Sequence, residues 1–223
     1  MNTLINFQQV RQTQLNEAVF ESIARDLEQQ GYSINPGVLP FELTDGLQQH
    51  LEQMRAEQFH DAGIGRGTDF TQSELIRTDE ICWITGSSDA GQEWLDWTAA
   101  LQSYLNRRLF LGLFSFESHF AHYRQGDFYQ RHLDAFKGEA NRVLSVVAYL
   151  NSSWSQEDGG ELVLYRDEQD FDGIKVTPLN GTLVIFLSEE FPHEVLPAKR
   201  DRYSVAGWFR CNTSQEQRVD PPA

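Results

Sequence analysis

The feature that most constrains the fold is a run of short apolar segments between residues 109 and 210. Turn signals such as EDGG, PLNG and PAKRD separate several of these segments, and none of the connections has a helical period. Eight short strands without helices between them predict a double-sheet jelly roll. The candidate strands are GLFSFESHFAHY, YQRHLDA, RVLSVVAYLN, GELVLYR, GIKVTPL, GTLVIFL, HEVLP and RYSVAGWFR.

The first half of the chain is predicted to be mainly helical. The segment LNEAVFESIARDLEQQG has apolar residues at helical spacing, a second helix is predicted to start at Thr44, and a third covers GQEWLDWTAALQSYLNRRL. A glycine-rich loop before the third helix leads into a strand at residues 80–84. We therefore predict a single α+β domain over 1–223, with N-terminal helices that buttress a jelly roll. Its parts are a helical support with the loop over about 10–108, a jelly-roll core over 109–210 and a polar C-terminal tail over 211–223.

The charge of the chain argues against a nucleic-acid partner. Its 33 acidic and 18 basic residues give a formal net charge of -15, which would repel a phosphate backbone. The N-terminus lacks a basic segment followed by an apolar run, and no stretch is long and apolar enough to span a membrane. We expect a cytoplasmic protein with no membrane partner.

The segment QRHLDAF contains a candidate pair of metal ligands. His132 and Asp134 are two positions apart, so on a strand they project from the same face. The pair needs a third ligand, and His193 in EEFPHEVLP follows the strongly apolar strand GTLVIFL. Two histidines and one carboxylate form the facial triad that holds Fe(II) and leaves positions open, although zinc is chemically compatible with the same set.

Arg202 lies nine residues beyond His193, at the start of the last candidate strand. If its side chain points into the barrel, the buried guanidinium needs an anion, and a carboxylate is its natural bidentate partner. Ser204 and Ala206 share its face and would leave room for that anion, while Tyr149 could add a phenolic hydrogen bond. A dicarboxylate bound to Arg202 and to the metal is therefore accommodated, which favours iron over zinc.

Together these residues carry a family resemblance. The HxD pair, the distal histidine and the later arginine resemble the Fe(II)- and 2-oxoglutarate-dependent dioxygenases. The segments YLNSSW, DGGELVLY, PLNGTLVIF, PHEVLPAKRDRYSVAGWF and IRTDEICWITG are similar to the prolyl hydroxylases related to those that modify hypoxia-inducible factor. The match runs from about residue 15 to residue 210. The compact chain is most similar to bacterial members, whose implied target is a prolyl residue of translation elongation factor Tu.

The resemblance implies a catalytic site and its cofactors. The two histidines and the aspartate of the candidate triad would ligate Fe(II). Arg202 and Tyr149 would hold the distal carboxylate of 2-oxoglutarate, and Tyr123 would hydrogen-bond near its metal-chelating end. O2 is the other implied cosubstrate, and the resemblance leaves room for stimulation by ascorbate and for a role in oxygen sensing. The implied products are succinate, CO2 and a prolyl residue hydroxylated at C4.

The resemblance also implies a substrate-binding region. Three residues fall in the family's proline pocket, and three follow a mobile substrate-covering loop at roughly Gly63 to Thr78. The two groups are Trp208, Tyr129 and Arg142, and Asp79, Arg77 and Trp83.

Several other functions share parts of this pattern. A 2-oxoglutarate oxygenase of a free amino acid or small metabolite would be favoured by a closed pocket without the loop at 63–78. A nucleic-acid dealkylating oxygenase has the same triad, but the acidic charge counts against it. A non-catalytic metal-binding or peptide-binding jelly roll would fail to turn over 2-oxoglutarate. Asp134 argues against a halogenase, which needs that coordination position vacant for halide.

Overall fold

The structure, a computed structural model, describes residues 7–54, 56–62, 76–135 and 141–212. In these segments the chain forms three α-helices and eleven β-strands. The helices are α1 (Phe7–Gln30), α2 (Phe41–Gln53) and α3 (Asp89–Leu109). The strands are β1 (Tyr32–Asn35), β2 (His60–Asp61), β3 (Glu80–Trp83), β4 (Leu113–Tyr123), β5 (Tyr129–His132), β6 (Arg142–Tyr149), β7 (Leu162–Leu164), β8 (Ile174–Val176), β9 (Leu183–Leu187), β10 (His193–Val195) and β11 (Arg202–Cys211).

The strands form two antiparallel sheets. The larger has the order β1-β9-β6-β11-β4-β3-β2 and the smaller has the order β5-β10-β7-β8. The eight strands β4 to β11 correspond to the eight expected from the sequence, so the α+β jelly-roll prediction is confirmed. The strands β1 and β2 were not predicted, because four and two residues are too short to give a clear alternating pattern.

The two faces of the larger sheet are covered differently. One face packs against the helices, where Trp94 and Leu101 of α3 are fully buried and Trp94 Nε1 donates a hydrogen bond to Ser118 Oγ at 3.1 Å. The other face carries a second apolar cluster that includes Leu164 of the smaller sheet and Phe186 of β9. The helices thus cover one face of the larger sheet, and the opposite face lines the interior of the jelly roll.

The structure corrects the starts of two helices, since α1 begins at Phe7 rather than at Leu15 and α2 also begins earlier than predicted. Helix α2 begins at Phe41 rather than at Thr44, and it ends at Gln53. Pro40 occupies the N-cap position with φ -53°, and Thr44 lies inside the first turn, where its hydroxyl donates to the Phe41 carbonyl at 3.0 Å. A threonine that looks like a cap in the sequence is therefore a first-turn residue, because the helix already begins directly after Pro40, whose φ of -53° and ψ of 138° are those of a non-helical N-cap residue.

Two predicted regions fall largely outside the described residues. Of the predicted loop at roughly 63–78, the structure describes only residues 76–78, and of the predicted tail it describes only residues 211 and 212. None of the described helices combines the length and the apolar character needed to cross a bilayer.

Candidate metal centre and active site

Three side chains of types that can ligate a metal meet at one end of the smaller sheet. His132 is the last residue of β5 and lies opposite His193, the first residue of β10. The side chain of Asp134 completes the group, and one ligand atom from each residue lies within 4.8 Å of the others. His132 Nε2 is 3.5 Å from Asp134 Oδ1, and His193 Nε2 is 3.6 Å from Asp134 Oδ2.

The sequence placed His132 and Asp134 on one strand, and this was wrong for Asp134. Strand β5 ends at His132, and the chain bends at Asp134. The pairing of β5 with β10 stops at the His132 and His193 pair, so no further ladder holds the chain extended. The two side chains still converge, because the bend turns the carboxylate back toward the histidines.

Hydrogen bonds to the backbone set the tautomers of both histidines. His132 Nδ1 donates to the Gln130 carbonyl at 2.7 Å, and His193 Nδ1 donates to the Phe191 carbonyl at 3.1 Å. Since a carbonyl oxygen only accepts, the proton of each neutral ring is on Nδ1 and the lone pair is on Nε2. Both Nε2 atoms face the carboxylate, so the group is prepared to receive a cation.

The charges in the group also suit metal binding. Burial lowers the pKa of His193 to about 4, with a further contribution from His132, so His193 is neutral at pH 7. Burial opposes ionisation of Asp134, yet His193, His132 and Arg142 hold its pKa well below the usual range. Neutral imidazole and ionised carboxylate are the forms that ligate metals. This donor set fits Fe(II) with open coordination positions.

Arg202 lies on the inner face of β11 and is 1% exposed. Its Nε donates to the Gly160 carbonyl at 2.8 Å and its Nη1 donates to Ser204 Oγ at 3.3 Å. Among the described residues it has no carboxylate partner. A buried guanidinium without a counter-ion is costly, so the pocket fits a carboxylate ligand.

Two tyrosines flank the Arg202 guanidinium. Its central carbon lies 4.9 Å from the ring centre of Tyr123 and 5.1 Å from that of Tyr149. Burial raises the pKa of Tyr149 to about 12 against the opposing effect of Arg202, so the phenol stays protonated. The Tyr149 hydroxyl is buried and has no hydrogen-bond partner among the described residues. It can therefore donate to the same anion as Arg202.

Arg77 and Asp79, which the resemblance assigned to substrate binding, form a buried ion pair. Arg77 Nε and Nη2 donate to the two carboxylate oxygens of Asp79 at 2.7 and 2.6 Å. The Arg77 guanidinium also lies 4.3 Å from the ring centre of Tyr129, and that ring stacks on His132 at 3.6 Å. The segment after the predicted loop is thus connected by contacts to a residue of the metal group.

Trp208 and Arg142 lie together at the other end of the same sheet face. The Arg142 guanidinium is 3.5 Å from the Trp208 ring centre, and its Nη2 donates to Glu117 Oε1 at 3.2 Å. Glu117 also receives a hydrogen bond from Arg210 at 3.5 Å. Trp83 lies on β3, two strands from Trp208 in the larger sheet, and is 52% exposed. The predicted substrate residues thus form one contact group with Arg77, Asp79 and Tyr129 and a second with Arg142 and Trp208, and only the first is shown in contact with a residue of the triad, His132.

Sequence reasoning missed several residues that support this site. Ser145 Oγ donates to Asp134 Oδ2 at 2.6 Å and is itself 2.9 Å from Ser188 Oγ. Gly160 contributes the carbonyl that holds Arg202. Inward-facing serines on β6 and a glycine pair in a turn are too common to be recognised without the fold. Only the alternation of β6 could have indicated that Ser145 faces inward.

Fold and site together define a class of protein. A jelly roll that holds two histidines and a carboxylate beside a buried arginine has the features of a non-haem iron oxygenase with an anionic cosubstrate. Residues 118–210 match the model of the 2OG-Fe(II) oxygenase superfamily.

Comparison with solved structures assigns the chain to a narrower group within this superfamily. A Pseudomonas putida prolyl-4-hydroxylase is 39% identical, with 86% of this chain and 98% of that chain covered and a TM-score of 0.75. A prolyl hydroxylase from Trichoplax adhaerens, solved with a fragment of the hypoxia inducible factor oxygen degradation domain, is 28% identical with coverage of 93% and 94% and a TM-score of 0.78. The chain therefore belongs to the 2OG-Fe(II) oxygenase superfamily and, within it, to the prolyl hydroxylases.

Curated relatives agree with this assignment. Prolyl hydroxylase EGLN3 of Mus musculus is 29% identical over 143 residues, which cover 60% of this chain and 59% of the relative. The chain thus spans about three fifths of the length of that relative. Members of the superfamily use Fe(II), 2-oxoglutarate and O2, and the described residues fit the first two of these.

Proposed function

We propose that this protein is a dioxygenase that hydroxylates a prolyl residue in a protein substrate, with conversion of 2-oxoglutarate and O2 to succinate and CO2. One observation carries the proposal: the triad lies in the same jelly roll as a buried arginine that meets no carboxylate within the described segments. A metal alone would explain the triad, but it would not explain Arg202. A cosubstrate with two acidic ends explains both.

The proposed roles follow the chemistry of each side chain. His132, Asp134 and His193 ligate Fe(II), and Arg202 and Tyr149 bind the distal carboxylate of 2-oxoglutarate. The protonated hydroxyl of Tyr123 donates a hydrogen bond near the metal-chelating end, since burial raises its pKa well above the usual range. Iron, once bound with its cosubstrates, supplies the oxidising chemistry, and the protein supplies position and a site from which water is excluded.

The proposed substrate is a proline within a polypeptide. The aromatic and guanidinium groups around the metal ligands, Tyr129, Trp208 and Arg142, suit a pyrrolidine ring and its flanking peptide groups. The Pseudomonas putida relative is named a prolyl-4-hydroxylase, which supports hydroxylation at C4. The resemblance to bacterial members supports elongation factor Tu as the substrate, and a cytoplasmic location follows from that choice.

The test is anaerobic reconstitution with Fe(II), followed by O2, 2-oxoglutarate and recombinant elongation factor Tu, with mass spectrometry of the products. A gain of one oxygen on a single proline, absent with His132→Ala, is the expected result. Succinate formation without that gain would keep the oxygenase but reject elongation factor Tu. Equal turnover of free proline would contradict a polypeptide substrate, and an iron-loaded, folded protein with no turnover would reject the enzyme.

A further inference from the structure

His119 of β4 is a buried histidine for which the proposed roles above provide no function. Its side chain is 3% exposed, and its Nδ1 atom is buried with no hydrogen-bond partner among the described residues. A buried polar atom left unsatisfied carries a desolvation penalty, which a water molecule or a bound ligand can remove.

The strand register places His119 on the face that lines the site. It lies opposite Ala206 of β11 and opposite Trp83 of β3. Side chains that are opposite each other on neighbouring strands share a face, and Ala206 is on the same face of β11 as Arg202 and Trp208. Ala206 is four residues from Arg202 and two from Trp208, so His119 lies between the predicted cosubstrate pocket and the predicted substrate region.

The imidazole ring of His119 contacts the rings of two tryptophans. The ring is 5.1 Å from the ring of Trp83 in an edge arrangement and 5.5 Å from the ring of Trp208. On β11 the opposing residue, Ala206, contributes only a methyl group. Trp83 is 52% exposed and Trp208 is 9% exposed, so the Trp83 side of the imidazole is nearer to solvent than the Trp208 side.

The surroundings keep His119 neutral and favour an electron-rich partner. Burial lowers its pKa to about 3, and Arg77 and Arg142 lower it further against the opposing effect of Asp134. A neutral imidazole has one N–H donor and one acceptor nitrogen. Because the positive charges of Arg77 and Arg142 act on this ring, a ligand atom with partial negative charge, such as a peptide carbonyl oxygen, is favoured over an N–H group.

We propose that His119 is a substrate-binding residue whose Nδ1–H donates a hydrogen bond to a backbone carbonyl oxygen of the peptide segment that carries the target proline. The inference rests on the proposed function, because it assumes that a polypeptide binds beside Trp83 and Trp208. It adds a residue that selects for an extended peptide, since a free amino acid has no peptide carbonyl to place there. His119 is thus a specificity determinant separate from the metal ligands.

Two variants of similar size separate hydrogen bonding from packing. His119→Asn keeps an amide group at nearly the position of Nδ1, whereas His119→Leu fills the space without a hydrogen bond. His50→Leu, a half-buried histidine on the helical side of the larger sheet, is the matched control. Thermal unfolding and metal affinity of each variant establish that the site is intact before kinetics are measured.

The kinetic test uses recombinant elongation factor Tu and, in parallel, a panel of capped peptides with a central proline. His119→Leu is expected to raise KM for these substrates about tenfold, the upper range for one neutral hydrogen bond, with kcat and the KM for 2-oxoglutarate nearly unchanged. His119→Asn is expected to recover most of the loss, and His50→Leu is expected to behave as wild type.

Each other outcome overturns the inference in a recognisable way. An unchanged KM in His119→Leu would mean that no substrate bond exists, and an equal loss in both variants would mean that His119 only packs. A change in the KM for 2-oxoglutarate instead would assign the residue to the cosubstrate. Wild-type protein that converts none of the substrates would contradict the proposed function itself, and the role of His119 with it.

Discussion

Arg202 provides the clearest prediction at the scale of single residues. We expect Arg202→Ala to weaken 2-oxoglutarate binding about a hundredfold, because truncating one partner of a buried charge pair costs about 2–5 kcal/mol. Metal binding should be nearly unchanged, since the guanidinium bonds to Gly160 and Ser204 rather than to the triad. Calorimetry with an inert divalent metal checks both values.

Arg200→Ala is the control for that experiment. Arg200 is exposed, and it donates to the Ser152 carbonyl at 3.0 Å on the outside of the barrel. Loss of 2-oxoglutarate binding in both variants would indicate a general effect of charge, and loss of metal in Arg202→Ala would show that the two pockets are not separable.

Ser145 tests how the metal carboxylate is oriented. Its hydroxyl donates to Asp134 Oδ2 at 2.6 Å, so Ser145→Ala should leave that oxygen free to rotate away from the histidines. We expect metal affinity to fall about 10- to 100-fold, as is typical when a supporting hydrogen bond to a ligand is lost. Competition with a chelator measures the change.

Ser118→Ala is the matched variant for the loss of a buried serine. Ser118 accepts a hydrogen bond from Trp94 on the helical side of the same sheet. The Ser118→Ala variant should have a lower free energy of unfolding but an unchanged metal affinity. An equal fall in metal affinity in Ser118→Ala and Ser145→Ala would contradict a specific role for Ser145.

At the scale of elements, the turn before β7 positions the anion pocket. Gly160 has φ +69°, and an added Cβ would lie 2.9 Å from Ala198 Cβ and 3.2 Å from Arg202 Cδ. We expect Gly160→Ala to cost about 1–3 kcal/mol through backbone strain and crowding, and to weaken 2-oxoglutarate binding as Arg202 shifts. Urea unfolding and a 2-oxoglutarate titration measure the two effects.

Gly112→Ala separates strain from crowding in that comparison. Gly112 has φ +66°, yet an added Cβ would meet no atom within 4 Å. The Gly112→Ala variant should therefore lose only the free energy of unfolding that backbone strain costs, and its affinity for 2-oxoglutarate should be unchanged. Similar binding losses in the two variants would mean that the turn does not position Arg202.

Strand pairing explains why elements were easier to predict than their ends. Short apolar segments indicated the strands β4 to β11 correctly, because apolar residues of each strand lie in or pack against one of the two apolar clusters. The end of β5 depended on where its pairing with β10 stops, at His132 and His193. Such a boundary depends on a pairing partner that is distant in the sequence. The same is true of the short strand β1, which forms because it pairs with β9.

At the scale of the whole molecule, buried histidine makes stability depend on pH. Burial lowers the pKa of His119 to about 3 in the folded state, whereas an unfolded histidine titrates near 6.5. Between these values the unfolded chain binds more protons, so this contribution to stability is complete above about pH 6.5 and is lost as the pH falls. We expect a slope of up to about 1.4 kcal/mol per pH unit from this residue.

Urea unfolding between pH 7 and pH 5 tests that expectation. His119→Asn should show a smaller loss of stability on acidification than wild type, because the variant removes one titrating group. His60→Asn, at an exposed position on β2, is the control. Identical slopes in wild type and His119→Asn would show that His119 is not held neutral by the fold.

The sequence by itself determined the fold class, and it predicted the residue types of the candidate site. Alternation along the strands and the residue types of His132, Asp134, His193 and Arg202 are local properties, and they indicated a jelly roll with a metal and an anion. Only the tertiary structure decided which side chains support them. Ser145 reaches Asp134, and His119 Nδ1 meets no hydrogen-bond partner within the described part of the chain, because strand pairing brings together residues that are distant in the chain. Those contacts depend on register and burial, which a single sequence does not contain.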